Sequence, residues 1–254
     1  MEQKFNNEVL GISAEIAIAE TFDVGISDNY RMRGDEKIIN LLKKDIFCIF
    51  TKENIPFPSK HVAEGQNSID FILKNKKTLS VKTNKRGLGK VAPQKIGQPS
   101  LKTYFSLMKE EFPDIVEFNI EDQLKIEKLC DTDSNRIKIF KKISINYIDI
   151  LLSGYWKNLV DCDYLLLFYN IVDKNENVSE SSEYIVLRKE QNFPNLNKEN
   201  ISFTKTLNNW NESNTVKYNN NGKLISIAEF QAHSNRGSFK FRFNIKNILK
   251  ILNS

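Results

Sequence analysis

Apolar and polar positions along the chain switch between a helical period and a strand period. Val9, Ile12, Ile16 and Ala19 recur at three- and four-residue steps, which predicts an amphipathic helix over Asn6–Phe22. Glu15 and Glu20 flank that stripe, at the edge of the face it buries. Ile39, Leu42, Ile46 and Ile49 predict a second helix over Glu36–Phe50, after which Pro56 and Pro58 break the chain. Ser68–Leu73 and Thr78–Thr83 are short and rich in β-formers, and the intervening Lys74–Lys77 makes them an antiparallel hairpin. Gly87, Gly89, Pro93, Gly97 and Pro99 mark a loop with basic and amide side chains. A helix is expected over Leu101–Glu111. Glu121–Leu152 reads as mostly helical, with Leu124, Leu129, Ile137, Phe140 and Ile148 in the core. The continuous apolar run Tyr164–Ile171 predicts a central strand covered on both faces. Tyr184–Arg188, Leu224–Phe230 and Ser238–Phe243 are further strands, and Asn244–Leu252 a closing helix. Phe193–Asn221 is polar and asparagine-rich, a long surface excursion or small lobe.

Composition narrows the class. With 254 residues and 40% hydrophobic content, the chain can bury one sizeable core, so one large α/β or α+β domain is expected rather than two small ones. No apolar run approaches the ~20 residues that span a bilayer, and Met1–Glu8 lacks a signal peptide's apolar segment. Cys48, Cys130 and Cys162 are widely spaced and odd in number. They make neither a disulfide framework nor a metal cluster and read as reduced core thiols in a cytoplasm. Two histidines, His61 and His233, exclude a zinc enzyme built on several histidines. The net charge of +5 suits a polyanion partner without requiring one.

The candidate chemistry sits in the hairpin. Asn67-Ser-Ile-Asp-Phe-Ile-Leu is followed by Leu79-Ser-Val-Lys-Thr-Asn-Lys-Arg, with Asp70 in one strand and Lys82 in the other. Acidic residues are disfavoured in strands, and Ile69, Phe71, Ile72 and Leu73 surround this one. Alone, Lys82 reads as a solvated lysine; paired with Asp70 it does not. Phosphodiester hydrolysis uses a carboxylate to hold a divalent cation, and a lysine beside it to orient or activate water. The hairpin resembles the core of the PD-(D/E)xK nuclease superfamily, to which many type II restriction endonucleases belong. Asp70 matches the aspartate of that pattern and Lys82 the lysine. Ser68-Ile69 stands where proline is usual, and Ser80 stands where the second carboxylate would be. Some restriction enzymes of this family show Ser-x-Lys here and recruit a glutamate from elsewhere. By analogy Glu15 or Glu64 fills that gap. Glu15 lies in Gly11-Ile-Ser-Ala-Glu-Ile-Ala-Ile-Ala, which resembles the N-terminal helix whose glutamate faces the metal in such nucleases; Glu64 lies six residues before Asp70. The resemblance spans roughly residues 9–100, with Tyr164–Ile171 matching the family's later core strand.

The resemblance implies an α/β fold, a mixed central sheet flanked by helices in a restriction-endonuclease-like core with a polar C-terminal excursion. It implies a single nuclease domain, with the catalytic core at about 5–190 and a DNA-contacting or dimerisation part at about 191–254. Mg²⁺ is the implied cofactor, held by Asp70, by Glu15 or Glu64, and at Val81, with Ser80 in the catalytic set and Lys82 on the water. The implied partners are double-stranded DNA, a second copy in a homodimer matched to a palindromic site, and a cognate DNA methyltransferase as genomic neighbour. Other readings are a repair or branched-DNA nuclease of the same superfamily, or a DNA-binding protein whose site has decayed at Ser80.

Two further segments have the chemistry of DNA contact. After Lys82 come Asn84, Lys85, Arg86, Lys90, Gln94, Lys95 and Gln98, interrupted by glycines. Lysine and arginine neutralise phosphates, and amides can read adenine edges. Near the C-terminus Gln231, His233, Asn235 and Arg236 precede Phe239-Lys-Phe-Arg-Phe. Strand alternation sends Phe239, Phe241 and Phe243 inward and Lys240 and Arg242 outward. An amphipathic edge without a ligand has the same pattern.

Hairpin register constrains the site. Asp70 and Lys82 share a face if Asp70 opposes Lys82, Ile72 opposes Ser80, and Asn75-Lys76-Lys77 form the loop. A two-residue turn would put them on opposite faces. An odd-length loop or a bulge is therefore expected.

Overall fold

The computed structural model describes residues 5–65, 69–112 and 132–253. Leu124, Leu129, Cys130 and the first part of the predicted Glu121–Leu152 helix lie outside the described residues, as does Ser68. The chain folds into two compact units, each discontinuous in sequence. The first unit is residues 1–89 with 160–191, and the second is residues 90–159 with 192–254.

In the first unit, α1 (Asn7–Thr21) and α3 (Glu36–Lys52) pack on one another, with the short α2 (Asp28–Arg31) between them in sequence. Each has its cap. The Asn6 side chain accepts from Val9 N–H, Ser27 Oγ from Tyr30 N–H, and Asp35 from Lys37 and Ile38 N–H. The Asp35 amide also donates to Ser13 Oγ of α1 at 2.8 Å, tying the two long helices together. The expected amphipathic stripe on α1 is too narrow a description. Every residue from Ile12 to Ala19 is buried, so this helix is covered all round and Glu15 lies inside rather than on a flank. Glu20 remains at the surface, paired with Arg31 and Lys43.

The first unit's sheet runs β1-β2-β3-β5-β6: β1 Pro58–His61, β2 Phe71–Leu73, β3 Thr78–Thr83, β5 Tyr164–Tyr169 and β6 Glu183–Arg188. It is mixed, as expected. β3 and β5 are parallel, from Leu79↔Tyr164 to Thr83↔Phe168, and the other pairs are antiparallel. Apolar β5, covered as its sequence predicts, and α1 enclose β3, the strand of Ser80 and Lys82. The prolines at 56 and 58 do not simply break the chain. Pro58 opens an edge strand, where a missing N–H is tolerated.

The second unit holds β4 (Lys90–Val91), α4 (Tyr104–Glu111), α5 (Asp133–Asn146) and α6 (Ile148–Leu159). Its later part holds β7 (Ile201–Phe203), β8 (Ser213–Asn220), β9 (Lys223–His233), β10 (Ser238–Asn244) and α7 (Ile245–Leu252). A second sheet of order β4-β10-β9-β8-β7, antiparallel throughout, takes β7 and β8 from Phe193–Asn221, the segment expected to be a surface excursion or small lobe. Its alternation was masked because the outward positions are asparagine, lysine and serine, while Asn214, Val216 and Trp210 are buried. Phe239, Phe241 and Phe243 point inward as expected, with Phe239 stacked on Phe140 of α5 and Phe241 on Tyr155 of α6. Ile137 is only half-buried, whereas Phe140 and Ile148 are core.

The β3–β5 pairing is clamped at its start. Asp163 Oδ2 accepts from Thr78 N–H at 2.9 Å and Thr78 Oγ1 at 3.0 Å, and Thr78 Oγ1 accepts from Asp163 N–H at 2.9 Å. Asp163→Ala should therefore lower unfolding free energy by about 1–3 kcal/mol in urea denaturation, since two donors lose their partner. Unchanged stability would show that the clamp is redundant.

Candidate active site

The hairpin has the expected odd loop, but one residue earlier than expected. Leu73 N–H donates to Lys77 C=O, so the turn is Lys74-Asn75-Lys76, with Lys76 at φ 66°. Asn75 Oδ1 accepts from Lys77 N–H at 3.1 Å, which closes the loop at this length. The pairs are Phe71↔Leu79 and Ile72↔Thr78, two residues displaced from the predicted register. Continued without a break, that register would set Asp70 across from Ser80 rather than Lys82. A shift of two leaves side chains on their expected faces. Asp70 precedes β2, yet its amide donates to Leu79 C=O at 3.0 Å, and its carbonyl accepts from Val62 N–H at 2.9 Å. Leu79 therefore serves both Asp70 and Phe71, a local irregularity of the kind that re-aims a side chain.

The Asp70 carboxylate is buried, 8% exposed. Its Oδ2 accepts from Val81 N–H at 2.6 Å and Ser80 Oγ at 3.1 Å. Ser80 is fully buried, so it acts here as a support for Asp70. Val81 contributes its amide, and its side chain lies in the core. Burial pushes the Asp70 carboxyl up to about 6, and the charge of Glu15 adds to that; Lys82 and the two hydrogen bonds oppose it. Lys82 is half-buried on β3. Burial pulls its ammonium below the ordinary lysine range, against the attraction of Asp70 and Glu15.

Glu15 arrives from α1. Its Oε2 accepts from Tyr30 Oη at 2.7 Å and sits 2.8 Å from His61 Nε2. His61 is buried on β1, ring against Phe71 and Tyr30. Glu64 is placed differently. It is exposed in a 3-10 turn (Ala63–Gly65) and accepts from Ser27 N–H and Ser27 Oγ at 3.1 and 2.9 Å. Those bonds hold its carboxyl below the ordinary range, and its Oε1 lies 3.8 Å from His61 Nδ1. The structure thus brings Asp70, Lys82, Glu15 and Ser80 together and leaves Glu64 behind His61.

Tyr30 and His61 were not legible as site residues. Neither lies in the motif, and only the β1–β2 pairing sets His61 opposite Phe71, next to Asp70. As a donor set, Asp70 and Glu15 suit a hard divalent cation. They are like charges in a place poor in water. Hydrogen bonds reach one oxygen of each, Oδ2 and Oε2, among the described residues. No group of three or more His, Cys, Asp and Glu side chains is disposed to hold a metal among the described residues. A cation here would take its remaining ligands from water, backbone or substrate, as Mg²⁺ commonly does.

The basic residues after Lys82 are largely tethered. Asn84 N–H donates to Phe168 C=O, and its Nδ2 is buried without a hydrogen bond. Lys85 and Arg86 both pair with Glu176, and Arg86 also donates to the carbonyls of Asp173 and Lys174. In the second unit Lys95 lies 3.4 Å from Glu111, while Gln94 is half-buried and Gln98 exposed. Lys90 and Arg242 converge on Glu229 at 2.7 and 2.8 Å, joined by Gln231 at 3.1 Å. Burial works against the Glu229 charge, but Lys90, Gln231 and Arg242 outweigh it and hold the carboxyl below its ordinary value. His233 links Gln231 to Glu212. Asn235 and Arg236 are exposed, and Lys240 is half-buried; Arg236 and Lys240 make no ion pair among the described residues. Opposite the apolar face, this sheet therefore carries a polar face with more cations than anions.

The chain is similar to the type II restriction enzyme CviAII of Paramecium bursaria Chlorella virus 1, with 35% identity over 245 residues. That alignment covers 95% of this chain and 59% of the viral enzyme, so the chain spans about three fifths of that relative's length. No protein-family profile and no solved structure matches it.

Because the Asp70 carboxyl sits at about 6 rather than 3.8, the folded state holds its proton longer than the unfolded chain. Stability from that proton is full below about pH 4 and is lost as pH rises through 6. In metal-free buffer Asp70→Asn should thus be more stable than the parent at pH 7.5, by up to about 3 kcal/mol, and no more stable at pH 4. Thermal melts at the two pH values test this, and a variant destabilised at pH 7.5 would contradict it.

Proposed function

We propose that the protein is a Mg²⁺-dependent, site-specific endonuclease of the type II restriction class, cutting double-stranded DNA. The observation that carries this reading is the meeting of Asp70, Glu15 and Lys82 in one buried cluster, built on the hairpin that resembles the PD-(D/E)xK core. The similarity to a type II restriction enzyme supports it independently.

Asp70 and Glu15 would hold the cation, each through the oxygen not already bonded. When bound, Mg²⁺ supplies acidity to water and neutralises charge on the phosphate. Hydrolysis joins a water oxygen to phosphorus and breaks a phosphate ester bond, while water loses a proton and the leaving oxygen gains one. Lys82 is suited to the first proton. Burial brings its ammonium closer to neutrality, so it can orient the water and take its proton more readily than a surface lysine. Ser80 and the Val81 amide fix Asp70 in place, which makes the Ser-x-Lys sequence a working variant in this reading rather than a decayed site. The tethered cations after Lys82 and the polar face of the second sheet are assigned to DNA contact, and the chain is assigned a homodimeric state and a methyltransferase partner.

Incubation with plasmid and Mg²⁺ should give discrete bands; smearing would indicate a repair-type nuclease, and binding without cutting a decayed site. Asp70→Ala should abolish cleavage, and Lys82→Ala should slow it by ~10²–10⁴-fold, with specific binding retained in Ca²⁺. Full activity in either variant would remove this site assignment. DNA affinity should also fall steeply with salt. Lys240→Ala and Arg236→Ala should each reduce the slope of log affinity against log salt by about 0.9. Slopes equal to the parent's would remove these two cations from the DNA contact.

A further inference from the structure

Glu15, like Asp70, takes both of its hydrogen bonds on one carboxylate oxygen. Buried polar side chains normally spread hydrogen bonds over their atoms, since an unserved oxygen costs stability. Here Tyr30 Oη and His61 Nε2 both reach Oε2, and Oε1 receives none among the described residues. Oε1 is not among the buried atoms left without a partner, so it stays open to solvent or a ligand while Oε2 is engaged. The arrangement does fix the rotation of the carboxylate.

The two donors are themselves anchored. Ser27 Oγ accepts from Tyr30 N–H, and Glu64 accepts from both Ser27 N–H and Ser27 Oγ. Glu64 also stands 3.8 Å behind His61 Nδ1, an atom buried without a hydrogen bond. The Tyr30 and His61 rings meet edge to face, 4.9 Å apart. One exposed acid thus backs both groups that hold the buried one.

We propose that Tyr30 and His61 are positioning residues that lock Glu15 by its Oε2, leaving Oε1 to a divalent cation, with Glu64 supporting both from behind. This rests on the reading of Asp70 and Glu15 as the cation site. It gives Glu64 a role distinct from metal ligation. Partners behind metal ligands commonly govern affinity by 10–100-fold.

The test measures cation binding directly as well as cleavage. Mn²⁺ is titrated into the metal-free full chain, and free Mn²⁺ is read by electron paramagnetic resonance. Cleavage is followed in parallel against Mg²⁺ concentration. Tyr30→Phe keeps the ring and removes only the hydroxyl; His61→Gln keeps a donor of different reach. Both should weaken Mn²⁺ binding by about 10–100-fold and raise the half-saturating Mg²⁺ by a similar factor. Cleavage at saturating Mg²⁺ should return to within a few-fold of the parent. Glu64→Gln should shift both in the same direction by less than tenfold. Parental Mn²⁺ affinity in Tyr30→Phe and His61→Gln, with parental melting curves, would overturn the proposal. So would a rate loss that no Mg²⁺ concentration restores, or a parent chain that binds no Mn²⁺. A parent that binds Mn²⁺ but cuts no DNA would instead sink the nuclease reading, and the Mn²⁺ titrations would still decide the role of Tyr30 and His61.

Discussion

Two carboxylates repel one another in a place from which most water has been removed, and the first unit is organised around that repulsion. An unpaired buried charge is costly, and a second of the same sign makes it worse. Asp70 answers with two hydrogen bonds on one oxygen, Glu15 with two on one oxygen, and Lys82 supplies the nearest positive charge. The protein then neutralises part of the cost by keeping a proton on Asp70 to about pH 6. A cluster arranged this way holds negative charge that its surroundings only partly offset. A divalent cation, as proposed above, would relieve that repulsion.

The strand-and-helix setting follows from this. Glu15 is held inside only because α1 is apolar on every side, with Leu10, Ile16, Ala17 and Ile18 fully buried around it. Lys82 is half-buried because β3 is an interior strand, between β2 and β5. In the second unit the opposite strategy appears. Glu229 lies at the sheet face and gathers Lys90, Arg242 and Gln231, so long cationic side chains are ordered before any ligand arrives. Ordering them in advance would lower the entropy cost of engaging the DNA phosphates proposed as their ligand.

Much of this was legible in the sequence. The two long helices, the hairpin, the apolar strand at 164–169 and the inward phenylalanines of β10 follow from periodicity. Asp70 stands out as an acid amid apolar β-formers, and Lys82 by its distance from it. What was not legible has physical reasons. The register depends on which residue takes positive φ, and Lys76 has no sequence signature for it. The burial of Glu15 depends on what covers the far side of α1. β7 and β8 were hidden because their outward positions match the asparagine-rich composition of a loop. Tyr30 and His61 come together through tertiary packing that leaves no fixed spacing in the chain.

The discontinuity of the first unit bears on how the protein is made. β3 ends at Thr83, but its parallel neighbour β5 begins only at Tyr164, after the chain has laid down residues 90–159 of the other unit. A nascent chain that has emerged only through the hairpin has Asp70 and Lys82 in hand and β3 still an open edge. Burial of Lys82 waits for β5. Parallel pairing across so long an interval is intrinsically slow. Synthesis therefore delivers Asp70 and Lys82 early and the strand that encloses Lys82 late, so the order of translation itself delays completion of the cluster.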